Sequence, residues 1–175
     1  MNFEKAFARL IGHEGGYSTD RNDPGNWTGG KVGKGVLKGT KYGIAANTYP
    51  NLDIKNLTLE QAKAIYKKDW WDKLGAEQLH PAIVYQLWDF AVNAGKSRAI
   101  KELQQVAGVI DDGILGAKTI AAVKALSVTD VLILLTAERL RFYTSLTTWG
   151  TYGKGWTNRV ADNLKYAVPD MKNGN

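Results

Sequence analysis

The chain has 175 residues, 44% apolar and 23% charged, with 23 Lys and Arg against 17 Asp and Glu for a net charge of +6, and no cysteine. At ~150 residues per domain this is one domain, or one large lobe with a small one, and it can bury a core without covalent staples. The composition excludes a disulfide framework, a thiolate zinc site and a Cys nucleophile, and no apolar run approaches the ~18 residues of a membrane span.

Met1 to Ile11 sets Glu4, Lys5 and Arg9 among apolar residues, which is not the pattern of a signal peptide. Phe3, Phe7, Leu10 and Ile11 recur at helical spacing and predict an amphipathic helix over 2–13, stopped by Gly15-Gly16. From Tyr17 to Ala46 the helical period vanishes. Seven glycines between Gly25 and Gly43 predict a long loop with a small hairpin, Tyr42–Ile44 being one strand of it. A loop of this length in a compact domain is usually functional.

Helical pattern resumes at Thr58-Leu59-Glu60-Gln61, a capping box followed by Ala62, Ile65, Tyr66 and Trp70 on one face. Pro81 suits the first turn of a helix running to Ala94 and closed by Gly95. Ser97 to Gly108, 117–126 and 129–146 complete the predicted central helices, the last apolar enough to occupy the middle of the fold. Gly150, Gly153 and Gly155 read as a flexible joint before a final helix over 156–167, with Pro169 to Asn175 fraying. The expected fold is mainly α, a helical bundle with one glycine-rich insertion after the first helix.

The basic excess points to an anionic partner. The Lys and Arg are scattered, and six Trp and eight Tyr exceed what charge steering needs, so a polysaccharide suits the surface better than nucleic acid. Three short motifs fail. His13-Glu14-Gly15-Gly16-Tyr17 lacks the second His of a zinc protease. Asp20 to Lys31 has Pro24 and Lys31 where an EF-hand needs ligands. Gly25 to Val32 lacks the Ser/Thr of a P-loop, with no strand before it and no helix after. No metal or cofactor is expected.

Glu14, at the end of the first predicted helix, faces the negative end of the helix dipole, which favours its protonated form by about 0.3–1 kcal/mol. A carboxyl kept protonated near neutral pH is what a general acid requires. On position alone, a surface glutamate at a frayed helix end is the plainer reading. Asp20 and Asp23 in the wet loop beyond it change the balance, because glycosidases need two acidic groups in unlike environments. A Thr40 hydroxyl beside the aspartate can orient a water.

Glu14-Gly15-Gly16-Tyr17, Asp20…Asp23-Pro24-Gly25 and Thr40-Lys41-Tyr42-Gly43-Ile44, in that order, resemble the N-terminal signature of glycoside hydrolase family 108. That family comprises bacteriophage endolysins and related N-acetylmuramidases. Trp88-Asp89-Phe90-Ala91-Val92-Asn93-Ala94-Gly95, Leu103-Gln104 and Asp112-Gly113-Ile114-Leu115-Gly116…Thr119 are similar to the peptidoglycan-binding region that accompanies it. The resemblance implies a lysozyme-like (α+β) fold in one unit over 1–175, with a catalytic part over 1–93 and a helical peptidoglycan-binding-like part over 94–170. It implies Glu14 as catalytic acid and Asp23 with Thr40 as the groups that position or activate water, without a cofactor.

One departure from the family pattern is the segment Asn26 to Gly39 between Asp-Pro-Gly and Thr40, where family members have Thr soon after. It keeps Asp20 open as the second carboxylate and makes the inserted segment an expected substrate-contacting flap. Tyr17, Trp27, Tyr42 and Trp149 are candidate sugar-stacking residues, each of which packing would explain equally. Asp89 and Asn93, one helical turn apart, either line the cleft or form a polar helix face. Trp70, Trp71 and Trp88 are expected in the core. Read with the resemblance, the partner is bacterial peptidoglycan, the protein is a monomer held in the host bacterial cytoplasm, and a separate holin releases it to the wall. A lytic transglycosylase using Glu14 alone, or a non-catalytic peptidoglycan-binding module, are the alternatives.

Overall fold

In the computed structural model, residues 1–12 and 16–172 are described, and their contacts divide into two units. One unit is Glu4–Lys68; the other joins Met1–Phe3 to Asp69–Asn175. This contact division falls at 68/69, within the expected catalytic part over 1–93, because the helix ending at Ala94 packs with the helices that follow it.

The smaller unit is built on α1 (Phe3–Ile11), a two-stranded antiparallel hairpin of β1 (Thr40–Lys41) and β2 (Ile44–Ala45), and α2 (Leu59–Ile65). Ala6, Phe7 and Leu10 form the buried stripe of α1, as their helical spacing dictates. With Ile44, Ala46, Ile54, Leu57, Ala62 and Tyr66 they make its core. Tyr66 links the parts: its ring lies 5.9 Å from that of Phe7, and its hydroxyl donates to the Tyr42 carbonyl at 3.0 Å. The capping box read at Thr58 and Gln61 is present, each residue bonding the other's backbone.

The expected strand over Tyr42–Ile44 is corrected by the register. Thr40 pairs with Ala45 and Lys41 with Ile44, so Tyr42 and Gly43 are the two turn residues. Both have positive φ, 52° and 74°, the conformation of a two-residue hairpin turn that matches strand twist.

After α2 the chain runs through a π-helical turn, Tyr66–Trp71, and a short α3 (Asp72–Leu74). The larger unit then comprises α4 (Pro81–Ala94), α5 (Lys96–Val106), α6 (Ala117–Lys124), α7 (Val128–Ser145) and α8 (Trp149–Lys172). α4 has the bounds its proline and glycine predict, with the His80 side chain accepting from the Ala82 N–H at the cap. Ala82 to Ala91 are all buried, and α4 packs on α5, α7 and α8. α4, not α7 as expected, is therefore the central helix; Ile133 and Leu134 of α7 are exposed. Phe3, Trp71 and Trp88 pack edge to face, with ring centres 5.5–6.1 Å apart. Trp71 and Trp88 are core as expected, whereas Trp70 is only half-buried. Among the described residues, no single helix is long and apolar enough to cross a membrane.

The joint expected at Gly150, Gly153 and Gly155 is absent. α8 runs unbroken through all three glycines and through Pro169 to Lys172. Gly153 is buried against the Trp149 indole, where a Cβ would come within 2.7–2.9 Å of the ring. The glycine there allows a close approach rather than a bend.

Candidate active site

Glu14, the expected catalytic acid, lies outside the described residues. The other carboxylate and hydroxyl candidates of the smaller unit are held by one turn. Asp23 caps the 3-10 turn Pro24–Asn26, its Oδ1 accepting the Gly25 N–H at 2.8 Å. Asn26, the last residue of that turn, is fully buried. Its Nδ2 donates to the Asp20 carbonyl at 2.9 Å, and its Oδ1 accepts the Thr40 hydroxyl at 2.7 Å. Its backbone carbonyl accepts the N–H groups of Lys38 and Gly39 at 3.0 and 3.1 Å. The buried Asn26 side chain thus joins Asp20 to Thr40, while its backbone N–H donates to the Asp23 carbonyl at 3.1 Å.

Asp20 is differently placed. Its carboxylate is exposed and accepts the Asn22 N–H at 2.9 Å, an Asx turn. Asp23 is half-buried.

The segment inserted between Asp23 and Thr40 is ordered by backbone pairing. Thr28 N–H donates to Val36 O, Gly29 N–H to Lys34 O, and Trp27 bridges Leu37. The result is an arm folded back on itself, exposed from Gly29 to Val36 and closed at its base by Asn26. Trp27 is half-buried at that base with its indole N–H donated to Arg21 O at 2.9 Å. On the far side of the base, Ser18 and Thr40 exchange backbone bonds of 2.8 and 2.9 Å. Gly39, at φ 85°, lets Ser18 and the Tyr17 ring approach where a Cβ would clash.

Tyr17 is 41% exposed, and its hydroxyl donates to the Lys38 carbonyl at 3.3 Å. It borders a groove of about 310 Å³ with Lys38, Asn51, Asp53, Ile54 and Lys55. Leu37 and Ile54 give it apolar surface and Tyr17 an open aromatic edge, and the rest of its lining is charged or polar. Hydrogen bonds from Asn56 lower the pKa of Asp53 there, with Lys38 and Lys55 adding to the effect. Tyr42 is half-buried at the hairpin turn, with the Lys41 ammonium 5.3 Å from its ring.

Asp89, Asn93 and Trp149 belong to the other unit. Asp89 is fully buried, and both of its oxygens are engaged. Oδ1 accepts from Arg159 at 2.8 and 3.0 Å, and Oδ2 from Arg139 at 2.7 Å and from Asn163. Burial alone would raise its pKa, but the two guanidinium charges and their hydrogen bonds prevail and bring it down to about 2. Asn93 accepts the hydroxyl of Tyr143, which itself accepts from Arg139 Nε at 2.8 Å. Of the two readings left open for Asp89, its full burial favours a structural one, as the counter-ion that holds α4, α7 and α8 together. Trp149 is half-buried beside Gly153, its ring 6.3 Å from that of Trp156. Asp112, read as a turn residue, accepts the Gln104 amide at 2.7 Å and caps the Gly113–Ile114 turn. Among the described residues no His, Asp or Glu cluster could hold a metal ion.

The residue that sequence reading missed is Asn26. Its only signal was a polar side chain between a turn and a tryptophan, in a segment read as loop.

A model of the glycosyl hydrolase 108 family matches residues 7–95, a stretch that spans Glu14, Asp23 and Thr40. Among solved structures the chain is similar to that of SagA from Brucella abortus, at 34% identity and a TM-score of 0.82, covering 95% of this chain and 94% of that one. A search of curated protein sequences gives no match. The lysozyme-like α+β fold expected from sequence, mostly helical with one small antiparallel sheet, is the fold observed.

Proposed function

Since the chain belongs to the glycosyl hydrolase 108 family and is a glycoside hydrolase, we propose that it acts as an endolysin-type muramidase. Its reaction is hydrolysis of the β-1,4 bond between N-acetylmuramic acid and N-acetylglucosamine in peptidoglycan. The observation that carries this reading is the family match over residues 7–95, which includes all three proposed catalytic residues.

Glu14 protonates the leaving glycosidic oxygen. Asp23 takes a proton from, or orients, the water that attacks the anomeric carbon, and Thr40 holds that water. The half-buried setting of Asp23, one turn from the partner of Thr40, supports it over Asp20 as the second carboxylate. The groove beside Tyr17 supports a sugar-binding role for that ring. Attack of water from the face opposite the leaving group inverts the anomeric centre.

The test is turbidity loss on purified peptidoglycan, followed by mass spectrometry of the products. Wild type is expected to clear the suspension and leave reducing N-acetylmuramic acid ends, and Glu14→Gln to be inactive. Anhydro-muramic ends would overturn hydrolysis in favour of transglycosylation. Binding without clearing would overturn catalysis altogether.

A further inference from the structure

Asn26 fixes more than the position of Thr40. Its Nδ2 faces the Asp20 carbonyl, a group that only accepts, so the amide can be oriented in one way only. The atom facing Thr40 is then Oδ1, which carries no proton. The 2.7 Å bond between them must use the single proton of the Thr40 hydroxyl. What remains on Thr40 Oγ1 is lone pairs.

From this geometry we infer that Asn26 is a positioning residue that fixes Thr40 as a hydrogen-bond acceptor, so that the attacking water must donate to it. The inference rests on the proposed role of Thr40 in hydrolysis. A water that gives one proton to Thr40 and the other to Asp23 has its lone pairs directed away from both. That is the orientation needed to form the new C–O bond at the anomeric carbon as the glycosidic C–O bond breaks. The proton lost by the water goes to the carboxylate, and the leaving oxygen takes its proton from Glu14. A Thr40 free to rotate would spend part of its time donating to the water and turning those lone pairs toward itself.

Two further features support a dedicated role. Asn26 is fully buried although it stands in a glycine-rich loop. Its backbone carbonyl also ties down Lys38 and Gly39, the two residues leading into Thr40. Backbone and side chain of one residue therefore set both where the hydroxyl is and which way it points.

The experiment measures initial rates against peptidoglycan concentration for Thr40→Val, Thr40→Ser, Asn26→Ala, Asn26→Asp and the Asn26→Ala/Thr40→Val double variant, with Tm recorded for each. Asn26→Ala is expected to lower kcat by about tenfold or more with KM unchanged, as for an interaction made only in the transition state. The double variant should be no slower than Thr40→Val alone, because both changes remove one function. Thr40→Ser should stay within about threefold of wild type while Asn26 is present. Asn26→Asp keeps an acceptor facing Thr40 but sets its second oxygen against the Asp20 carbonyl. It should lose Tm and yet retain kcat, a separation that a merely structural role would not produce.

Unchanged kcat in Asn26→Ala, or multiplying losses in the double variant, overturns the inference while Thr40 keeps its role. If Asn26→Ala does not fold, a folded Asn26→Asp with a kcat loss as large as that of Thr40→Val overturns it equally. Full activity in Thr40→Val, with Glu14→Gln inactive, overturns the role of Thr40 itself.

Discussion

Tyr42 holds a left-handed backbone, φ 52°, that a bulky aromatic adopts at a cost of about 1–3 kcal/mol. Asparagine tolerates that conformation better. Tyr42→Asn is therefore expected to leave Tm unchanged or raised by calorimetry, while lowering the rate on peptidoglycan if the ring contacts sugar. Lower Tm would show that ring packing outweighs backbone strain. Asp89 is the opposite case, a polar residue that the fold cannot spare. Asp89→Asn would leave Arg139 and Arg159 without their counter-ion in the core, a loss of about 3–5 kcal/mol, read as a large drop in the urea midpoint. A helix pattern can show Asp89 and Asn93 on one face, but not whether that face meets solvent or two arginines from helices fifty and seventy positions away. For the same reason the sequence carried the acidic and hydroxyl residues of the smaller unit and not Asn26, whose importance lies in bonds to Asp20, Lys38, Gly39 and Thr40 that form only in the folded arm.

At the scale of elements, those with strong local signals were legible. α2 has its capping box, and α4 has Pro81 and Gly95 at its ends. α8 was not legible, because three glycines cost about 1 kcal/mol each in helix propensity and local reasoning stops there. What offsets the cost is tertiary: Val160, Asn163 and Ala167 are buried, and Asn163 receives Tyr85 and meets Asp89. Gly153→Ala separates the two effects. A methyl in an exposed helix would stabilise by about 1 kcal/mol. At this site it meets the Trp149 indole and is expected to lower Tm and to shift Trp fluorescence as that ring is displaced. Higher Tm with unchanged fluorescence would show that the indole moves aside freely. The turn at Tyr42 and Gly43 was not legible because the residues of so short a hairpin do not mark its register, which only the pairing of Thr40 with Ala45 fixes.

For the whole molecule, charge and acidity give the testable consequences. A net charge of +6 should draw the protein to an anionic wall, so initial rates on peptidoglycan are expected to fall as NaCl rises from low to physiological strength. A rate independent of salt would leave the charge without that role. The Asp89 carboxyl titrates near 2 in the folded chain against a usual 3.8, so the folded state binds fewer protons. Its contribution to stability is complete above the unfolded value and is lost as pH falls toward 2. Urea midpoints should therefore drop through that window in wild type and change less in Asp89→Asn; parallel curves would contradict it. The arm between Asp23 and Thr40 has a different kind of consequence. Because Asn26 closes it at the base, the length of chain beyond that point has no bearing on the bond that holds the Thr40 hydroxyl. The arm behaves as a cassette, a stretch that evolution or an engineer can lengthen, trim or re-charge while the turn beneath it stays the same.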